Sequence, residues 1–207
     1  VQNLRVLREL SQMIDVIGVH QKEQLGLGHA LLTTREVVGD EPFVVYLPDD
    51  IISHQVSVTK QMLDVYEKYG RSMIAVDEIP SECISAYGVV DAEPVEDRVY
   101  RARNLVEKPL AQLAPSNLGI VGRYIFTPAI FDALEEIQSG ALGEIQLTDG
   151  IALLAHREPV YAYRFHGHRY DVGTPLGMLK ASLELAMDRH DIGPSIRMWV
   201  KEIASHL

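Results

Sequence analysis

Two short apolar runs constrain the fold of this chain most strongly. Residues 43–47 and 73–76 carry apolar side chains at successive positions, as expected for strands that are covered on both faces. A segment with helical spacing of apolar residues, Val58–Tyr69, lies between them. Strands that alternate with helices are typical of βαβ units. We therefore predict an α/β fold with a doubly wound, mainly parallel, Rossmann-like sheet.

The spacing of apolar and turn-forming residues predicts the remaining elements. In residues 88–103, two apolar pairs flank an acidic, turn-rich stretch, which indicates an inserted hairpin that could cover a pocket. Thr148 and Asp149 have the composition of a helix cap. No internal repeat or linker composition marks a second domain, so we expect one domain over residues 1–207, with a helical C-terminal segment at 176–207. Further strands are predicted at 14–19, 72–77, 118–126 and 160–165, and further helices at 1–13, 26–38, 128–138, 176–189 and 196–207.

Composition excludes several classes of function. The formal net charge of −10 argues against general nucleic-acid binding, which requires a basic surface. A single cysteine, Cys83, cannot form an intrachain disulfide, and we expect it to be a buried, unreactive thiol in a reducing compartment. The sequence has no apolar run of membrane-spanning length and no signal-peptide pattern, so the predicted location is the cytoplasm, without a membrane partner.

Two aspartates are candidate metal ligands. The strand at 43–47 stops at Pro48, directly before Asp49, and ligands of open α/β sheets collect beyond the carboxyl ends of strands. Asp171 shows the same pattern, following Tyr170 and preceding Gly173. Two carboxylates from separate strands can share one Mg²⁺. The alternative is that each aspartate only forms a turn or caps a helix.

Two further segments could contact a substrate. Gly26 and Gly28 precede a predicted helix, where backbone can approach a flat or phosphorylated ligand, although a tight loop is equally consistent with the pattern. Lys108 could neutralise a phosphate while Glu107 accepts hydrogen bonds from hydroxyl groups. A surface ion pair is the alternative for this second segment.

The sequence gives no support for nucleophilic catalysis. It contains no Gly-x-Ser-x-Gly motif, and its eight histidines lack zinc-ligand spacing. We expect His166 and His168, which alternate beyond a predicted strand, to be exposed.

Taken in order, several segments resemble the sugar-phosphate nucleotidyltransferase family, and in particular its bacterial members that join UTP to glucose 1-phosphate. The resemblance spans nearly the whole chain and implies a fold of the nucleotide-diphospho-sugar transferase type. It is carried by residues 21–30, 47–49, 86–90, 106–109, 114–124, 143–149 and 170–173.

The resemblance implies an enzyme that transfers UMP from UTP to glucose 1-phosphate, with UDP-glucose and pyrophosphate as products. No covalent enzyme intermediate is expected, because the sugar phosphate attacks the α-phosphorus in line. The implied cofactor is Mg²⁺, and the implied assembly is a homo-oligomer, either a dimer or a tetramer.

Matching positions imply roles for particular residues. Asp49 and Asp171 would hold Mg²⁺, whereas the role of Asp50 stays open. Lys108 would neutralise phosphate oxygens and thereby act with the two aspartates in catalysis. The implied substrate-binding residues are Gln21 and Gly26 at the uracil edge, and Gly88, Glu107 and Tyr124 around glucose.

One family motif is absent from this sequence. The family begins with a strand and a Gly-x-Gly-Thr-Arg type loop that wraps the triphosphate, and neither occurs here. The chain is therefore expected to lack the first βαβ portion of the domain, being N-terminally incomplete. Two alternatives stay open: a noncatalytic homologue that binds a UDP-sugar or regulates a partner, and a sugar-phosphate transferase that uses dTTP.

The C-terminal segment offers a candidate oligomer contact. Leu179, Leu183 and Met187 recur at helical spacing and could pack on a neighbouring subunit. The favoured interpretation is that this stripe packs on its own sheet.

Overall fold

The protein has a mixed α/β structure. The computed structural model describes residues 2–137 and 143–206, excluding the side chains of residues 2 and 3. The strands in these ranges are β1 (Phe43–Tyr46), β2 (Asp50–Ser53), β3 (Met73–Glu78), β4 (Gly88–Glu96), β5 (Val99–Glu107), β6 (Leu118–Phe126), β7 (Tyr161–Arg164) and β8 (His168–Asp171). The helices are α1 (Gln2–Ser11), α2 (Leu27–Leu32), α3 (Arg35–Val38), α4 (Val58–Tyr69), α5 (Ala129–Glu136), α6 (Leu147–Arg157), α7 (Pro175–Met187) and α8 (Gly193–Ala204).

Six strands form the central sheet in the order β1-β6-β3-β7-β5-β4. This confirms the α/β class, but the mainly parallel pairing was wrong for the described strands. Only β3 and β7 pair in parallel there, while the other paired neighbours are antiparallel. Strand β6 runs in the opposite direction between β1 and β3, and β4 and β5 form the predicted hairpin. The apolar run of β3 is buried on both faces as predicted, whereas β1 is half-buried and its Tyr46 is exposed. Neither run fixes the direction of the neighbouring strands.

A second, two-stranded sheet pairs β2 with β8 and places Asp50 opposite Asp171. The sequence analysis did not predict this sheet. Each strand has only four residues, and their pairing joins segments more than 100 positions apart in the chain. This pairing brings the predicted metal ligands to one place.

The core lies on both faces of the central sheet. On one face, Phe131 and Leu134 of α5 and Ile151 of α6 are fully buried in one cluster with Phe126 of β6. On the other face, α4 contributes Met62 to a second cluster. These layers fix the strand ends that carry the candidate site.

Helix α4 matches the predicted range because both of its ends are specified locally. The hydroxyl of Ser57 accepts a hydrogen bond from the backbone N–H of Lys60, as at a capped helix start. Gly70 ends the helix at φ 60°, a left-handed conformation that favours glycine.

Other predicted elements need correction. Residues 14–19 are not a strand: they have no regular structure, and Val16 is 84% exposed. The predicted helix 26–38 is interrupted, because the hydroxyls of Thr33 and Thr34 donate to the carbonyls of Ala30 and Leu31.

Three local predictions are also settled. The residue at the N-cap of α6 is Gln146, so Thr148 and Asp149 lie inside the first turn and do not cap the helix. Cys83 is exposed, whereas a buried thiol was predicted. The predicted exposure of His166 and His168 is confirmed. The predicted helix ends at residues 1, 138 and 207 lie outside the described residues.

Within the described ranges, no helix is both long enough and apolar enough to cross a membrane.

Candidate active site

A cavity of about 280 Å³ opens where the loop after β1, the start of β4, the ends of β5 and β8, and the N-terminus of α6 meet. It brings together six of the eight predicted site residues. These are Asp49, Gly88, Glu107, Lys108, Tyr124 and Asp171. The two others, Gln21 and Gly26, do not line it, although the next residue, Leu27, does.

Asp49 and Asp171 converge at one end of this cavity. Their carboxylates face the backbone of Gly173: a Cβ built there would lie 3.2 Å from Oδ1 of Asp171 and 3.5 Å from Oδ2 of Asp49. The backbone N–H of Val172 donates to the carbonyl of Asp49 (2.8 Å) and fixes the two segments against each other. The two carboxylates therefore share one small space that glycine leaves open.

This donor set fits a hard divalent cation. Across residues 2–137 and 143–206, no group of three or more His, Cys, Asp and Glu side chains forms a complete metal site. Mg²⁺ is commonly held by one or two carboxylates together with substrate phosphates, so two carboxylates beside an open cavity suit it.

Asp50 has a different environment from Asp49. Asp50 is buried, with its Oδ2 accepting from the backbone N–H of Gly122 (2.8 Å) and its Oδ1 from Nε of Arg169. Asp49 is exposed. Both oxygens of Asp50 are thus used within the protein, and Asp49 is the carboxylate that is free to meet a ligand.

Arg123 anchors the loop that carries these aspartates. Its guanidinium donates to the backbone carbonyls of Leu47 (2.9 Å), Gly122 (2.7 Å) and Asp50 (2.6 Å). It also lies over the ring of Tyr46, 4.6 Å from the ring centroid. These contacts fix the backbone on either side of Asp49.

Glu107 and Lys108 lie at the other end of the cavity. Oε2 of Glu107 accepts a 2.6 Å hydrogen bond from the hydroxyl of Thr148, and its Oε1 lies 3.6 Å from Nζ of Lys108. Lys108 is the residue after β5 and has a positive φ of 43°, uncommon for a residue with a side chain. Glu107 therefore has one oriented oxygen and one that can accept from a ligand.

Gly88 and Tyr124 shape the same end. A Cβ at Gly88 would lie 2.9 Å from Oγ1 of Thr148 and 3.1 Å from Oε2 of Glu107, so a side chain there would disturb that pair. Tyr124 is 5% exposed, and burial, with added repulsion from Asp50, raises the pKa of its hydroxyl above the usual value. Tyr124 is therefore a neutral hydroxyl group in the cavity wall.

Gln21 and Gly26 form a separate, adjoining unit. The side-chain amide of Gln21 donates to the carbonyl of Gly26 (3.2 Å) and contacts Nδ1 of His29 (2.9 Å). Gly26 has φ 92°, and a Cβ there would lie 2.9 Å from the carbonyl oxygen of Ile145. Backbone bonds between this segment and Ile145 tie it to the residues that lead into α6.

The sequence did not identify Tyr87, Thr148 or Arg169 as residues of the site, and it did not reveal the structural role of Asp50. Arg169 and Asp171 are two positions apart on β8, so strand alternation places them on one face, which was an available signal. The contacts of Thr148 and Tyr87 arise from packing between distant segments and leave no pattern in the local sequence.

The sequence model of the nucleotidyl transferase family matches residues 3–188. Enzymes of this family generally use a divalent metal. The chain belongs to the nucleotidyl transferase family, which confirms the resemblance found in its motifs.

Particular relatives narrow the comparison. The UTP–glucose-1-phosphate uridylyltransferase of Staphylococcus epidermidis is 45% identical over 193 residues, covering 93% of this chain and 67% of the relative. That of Bacillus subtilis is 47% identical over 189 residues, covering 91% and 65%. The chain thus spans about two thirds of the length of these relatives.

Solved structures of UDP-glucose pyrophosphorylases are similar to this chain over most of its length. A UDP-glucose pyrophosphorylase complexed with UDP-glucose has a TM-score of 0.87 at 43% identity, covering 91% of this chain and 72% of the other. A UTP-bound UGPase from Acinetobacter baumannii has a TM-score of 0.84 at 35% identity, covering 97% and 72%.

Proposed function

We propose that this protein transfers UMP from UTP to glucose 1-phosphate, forming UDP-glucose and pyrophosphate. The observation that carries the proposal is the cavity in which Asp49 and Asp171 lie at one end, with Glu107 and Lys108 at the other. The relatives named for this activity, and the solved structures described with UDP-glucose or UTP, support the choice of substrates.

The reaction requires no nucleophile from the protein. A phosphate oxygen of glucose 1-phosphate forms a bond to the α-phosphorus of UTP, while the bond from that phosphorus to the bridging oxygen breaks and pyrophosphate leaves. The protein contributes positioning and charge neutralisation. This matches a site built from carboxylates, a lysine and backbone groups.

In this proposal, Lys108 neutralises phosphate oxygens, and its exposed side chain (63%) leaves it able to swing toward a ligand. Glu107 accepts hydrogen bonds from glucose hydroxyls, beside the opening left by Gly88 and the hydroxyl of Tyr124. A carboxylate that needs two donors rejects analogues lacking a hydroxyl, because it is then left unpaired.

The proposed cofactor is Mg²⁺, held by Asp49 and Asp171. When bound, it supplies charge neutralisation for the phosphates as the α-phosphorus is attacked. The open space over Gly173 and the two carboxylates that border it support this assignment.

For the nucleotide, we assign Gln21 and Gly26 to the uracil edge, where Gly26 lets backbone approach a flat ring. Uracil and thymine share this edge, so UTP is preferred over dTTP in this proposal on the basis of the relatives.

We also propose a homo-oligomer that uses helices α7 and α8. Leu176 and Leu179 of α7 are 62% and 64% exposed, and Trp199 of α8 is 53% exposed. Of the stripe predicted to pack on its own sheet, Leu179 is exposed, which contradicts that interpretation for this residue, whereas Leu183 and Met187 are half-buried. Light scattering coupled to size exclusion tests the assembly: Leu179→Glu lowers the mass to that of the 23.1 kDa monomer if this face is the contact, and an unchanged mass excludes it.

The activity is tested by pyrophosphate release from UTP, glucose 1-phosphate and Mg²⁺, with calorimetric binding of UDP-glucose measured in parallel. The proposal predicts turnover that is lower with dTTP and lost in Asp171→Asn, while Asp191→Asn, an exposed site on the segment between α7 and α8, stays active. UDP-glucose binding without turnover favours a noncatalytic UDP-sugar-binding protein. If the protein shows no turnover and does not bind UDP-glucose, the proposal is overturned.

A further inference from the structure

A hydrogen-bonded chain of side chains connects the two ends of the cavity. Arg169 of β8 contacts Oδ1 of Asp50 through Nε, and its Nη1 donates to the hydroxyl of Tyr87 (2.9 Å). The side chains of Arg169 and Asp50 are 13% and 7% exposed, so the ion pair is shielded from water. The chain of contacts is Asp50–Arg169–Tyr87.

Arg169 also lies close to one of the two proposed metal ligands, Asp171. Its Nη2 lies 3.9 Å from Oδ2 of Asp171, while Oδ1 of Asp171 is the oxygen that faces Gly173. Three carboxylates, those of Asp49, Asp50 and Asp171, crowd this end of the cavity, and like charges repel strongly where water is scarce. Arg169 offsets one of these charges, while Oδ1 of Asp171 accepts a 3.1 Å hydrogen bond from the backbone N–H of Gly173.

Tyr87 connects this cluster to the sugar-phosphate end. It directly precedes Gly88, and its carbonyl accepts a hydrogen bond from the backbone N–H of Lys108 (3.1 Å). The guanidinium of Arg169 also lies over its ring, 5.1 Å from the centroid. The Tyr87 residue thus links the backbone at Gly88 and Lys108 to the guanidinium of Arg169.

The contacts of Arg169 differ from those of a purely structural arginine. The backbone of the loop after β1 is already held by Arg123, which binds three carbonyl groups there. By contrast, the polar contacts of Arg169 within the described residues are with the side chains of Asp50, Tyr87 and Asp171. Arg169 therefore holds the buried carboxylate of Asp50 and also lies beside the carboxylate of Asp171.

We propose that Arg169 is a positioning residue for the metal-binding carboxylate of Asp171, and that the Tyr87 hydroxyl couples metal binding to occupation of the sugar-phosphate end. The inference rests on the proposed function, since it takes Asp49 and Asp171 as metal ligands. Coupling of this kind is reciprocal: a ligand that tightens metal binding is itself bound more tightly when the metal is present.

The test measures Mn²⁺ affinity by electron paramagnetic resonance, with and without UDP-glucose, in the wild type and in Arg169→Lys and Tyr87→Phe. Arg164→Lys, at an arginine paired with Glu78, and Tyr163→Phe, at a hydroxyl bonded to Gln61, are matched controls away from the cavity. Urea unfolding of every variant separates loss of fold from loss of metal binding.

Arg169→Lys is expected to raise the Mn²⁺ dissociation constant about tenfold, the scale seen when a group that orients a metal ligand is changed. Tyr87→Phe keeps the ring and is expected to change the constant measured without UDP-glucose less than Arg169→Lys does, but to lose at least about two thirds of the increase in affinity that UDP-glucose produces. The controls should stay within about twofold of the wild type.

The outcomes are distinguishable. If the wild type binds neither Mn²⁺ nor UDP-glucose, the proposed function fails. If the wild type binds both, but Arg169→Lys and Tyr87→Phe behave like their controls, the function stands and the positioning role is overturned. If Arg169→Lys does not fold, Tyr87→Phe decides the question alone through the lost or retained effect of UDP-glucose.

Discussion

The hydroxyl of Thr148, in the first turn of α6, donates a 2.6 Å hydrogen bond to Oε2 of Glu107 at the end of β5. This bond joins a helix to a strand across the wall of the cavity and fixes the direction of the Glu107 carboxylate. The other oxygen of Glu107 is left beside Lys108. The sugar-binding role proposed for Glu107 therefore depends on Thr148.

Replacing Thr148 with valine tests this dependence. The substitution removes the hydroxyl that orients the Glu107 carboxylate. A hydrogen bond to a charged group contributes about 1.5–3 kcal/mol. We expect the KM for glucose 1-phosphate to rise about tenfold or more, with a smaller change in the KM for UTP. Steady-state kinetics measure both constants. Thr148→Ser keeps the hydroxyl and should resemble the wild type, and equal effects of the two variants would contradict the role.

Gly88→Ala should impair the same end of the cavity by a different route. The added Cβ would lie within 3.1 Å of Thr148, Ile120 and Glu107 atoms, too close for ordinary contact. We expect at least about a tenfold loss in kcat/KM for glucose 1-phosphate, because the Thr148–Glu107 bond must shift. The matched control is Gly18→Ala, where nothing lies within 4 Å. Full activity in Gly88→Ala would show that this space is not used.

Leu134→Ala should destabilise the fold that supports the site. Leu134 is fully buried between α5 and α6, and truncating such a leucine typically costs about 2–5 kcal/mol in the free energy of unfolding. Leu179→Ala, at a 64% exposed leucine, is expected to change it by less than about 0.5 kcal/mol. Urea unfolding at a protein concentration that favours the monomer measures both, and similar values would place Leu134 outside the core.

Asp149 makes stability depend on pH. Burial, with added repulsion from Glu107, raises the pKa of its carboxyl in the folded state. The folded state therefore holds the proton more tightly than the unfolded state, so this group lowers stability as pH rises above about 3.8. Relative to the wild type, Asp149→Asn should gain stability between acidic and neutral pH. Unfolding curves for both proteins across this range check the sign, and a constant difference would contradict it.

The sequence allowed prediction of those features that are specified locally. The bounds of α4 follow from Ser57 and Gly70, and the β4–β5 hairpin follows from its acidic turn. The positions of Asp49 and Asp171 followed from strand ends, where ligands collect. Location in the cytoplasm remains a prediction from composition.

What the sequence did not reveal depends on contacts between distant segments. The β2–β8 pairing, which sets Asp50 opposite Asp171, and the Thr148–Glu107 bond each join residues at least 41 positions apart. The direction of β6 reverses the expected parallel pairing, since apolar runs alone do not encode direction. The strand predicted at 14–19 failed for the converse reason, because its apolar residues have no sheet to join among the described residues.

The assignment of the metal to Asp49 and Asp171 is tested most directly by anomalous diffraction from crystals grown with Mn²⁺ and UDP-glucose. We predict one anomalous peak in contact with both Asp49 and Asp171, with the glucose beside Glu107 and Gly88. A peak away from these aspartates, or UDP-glucose bound outside this cavity, would contradict the proposed site.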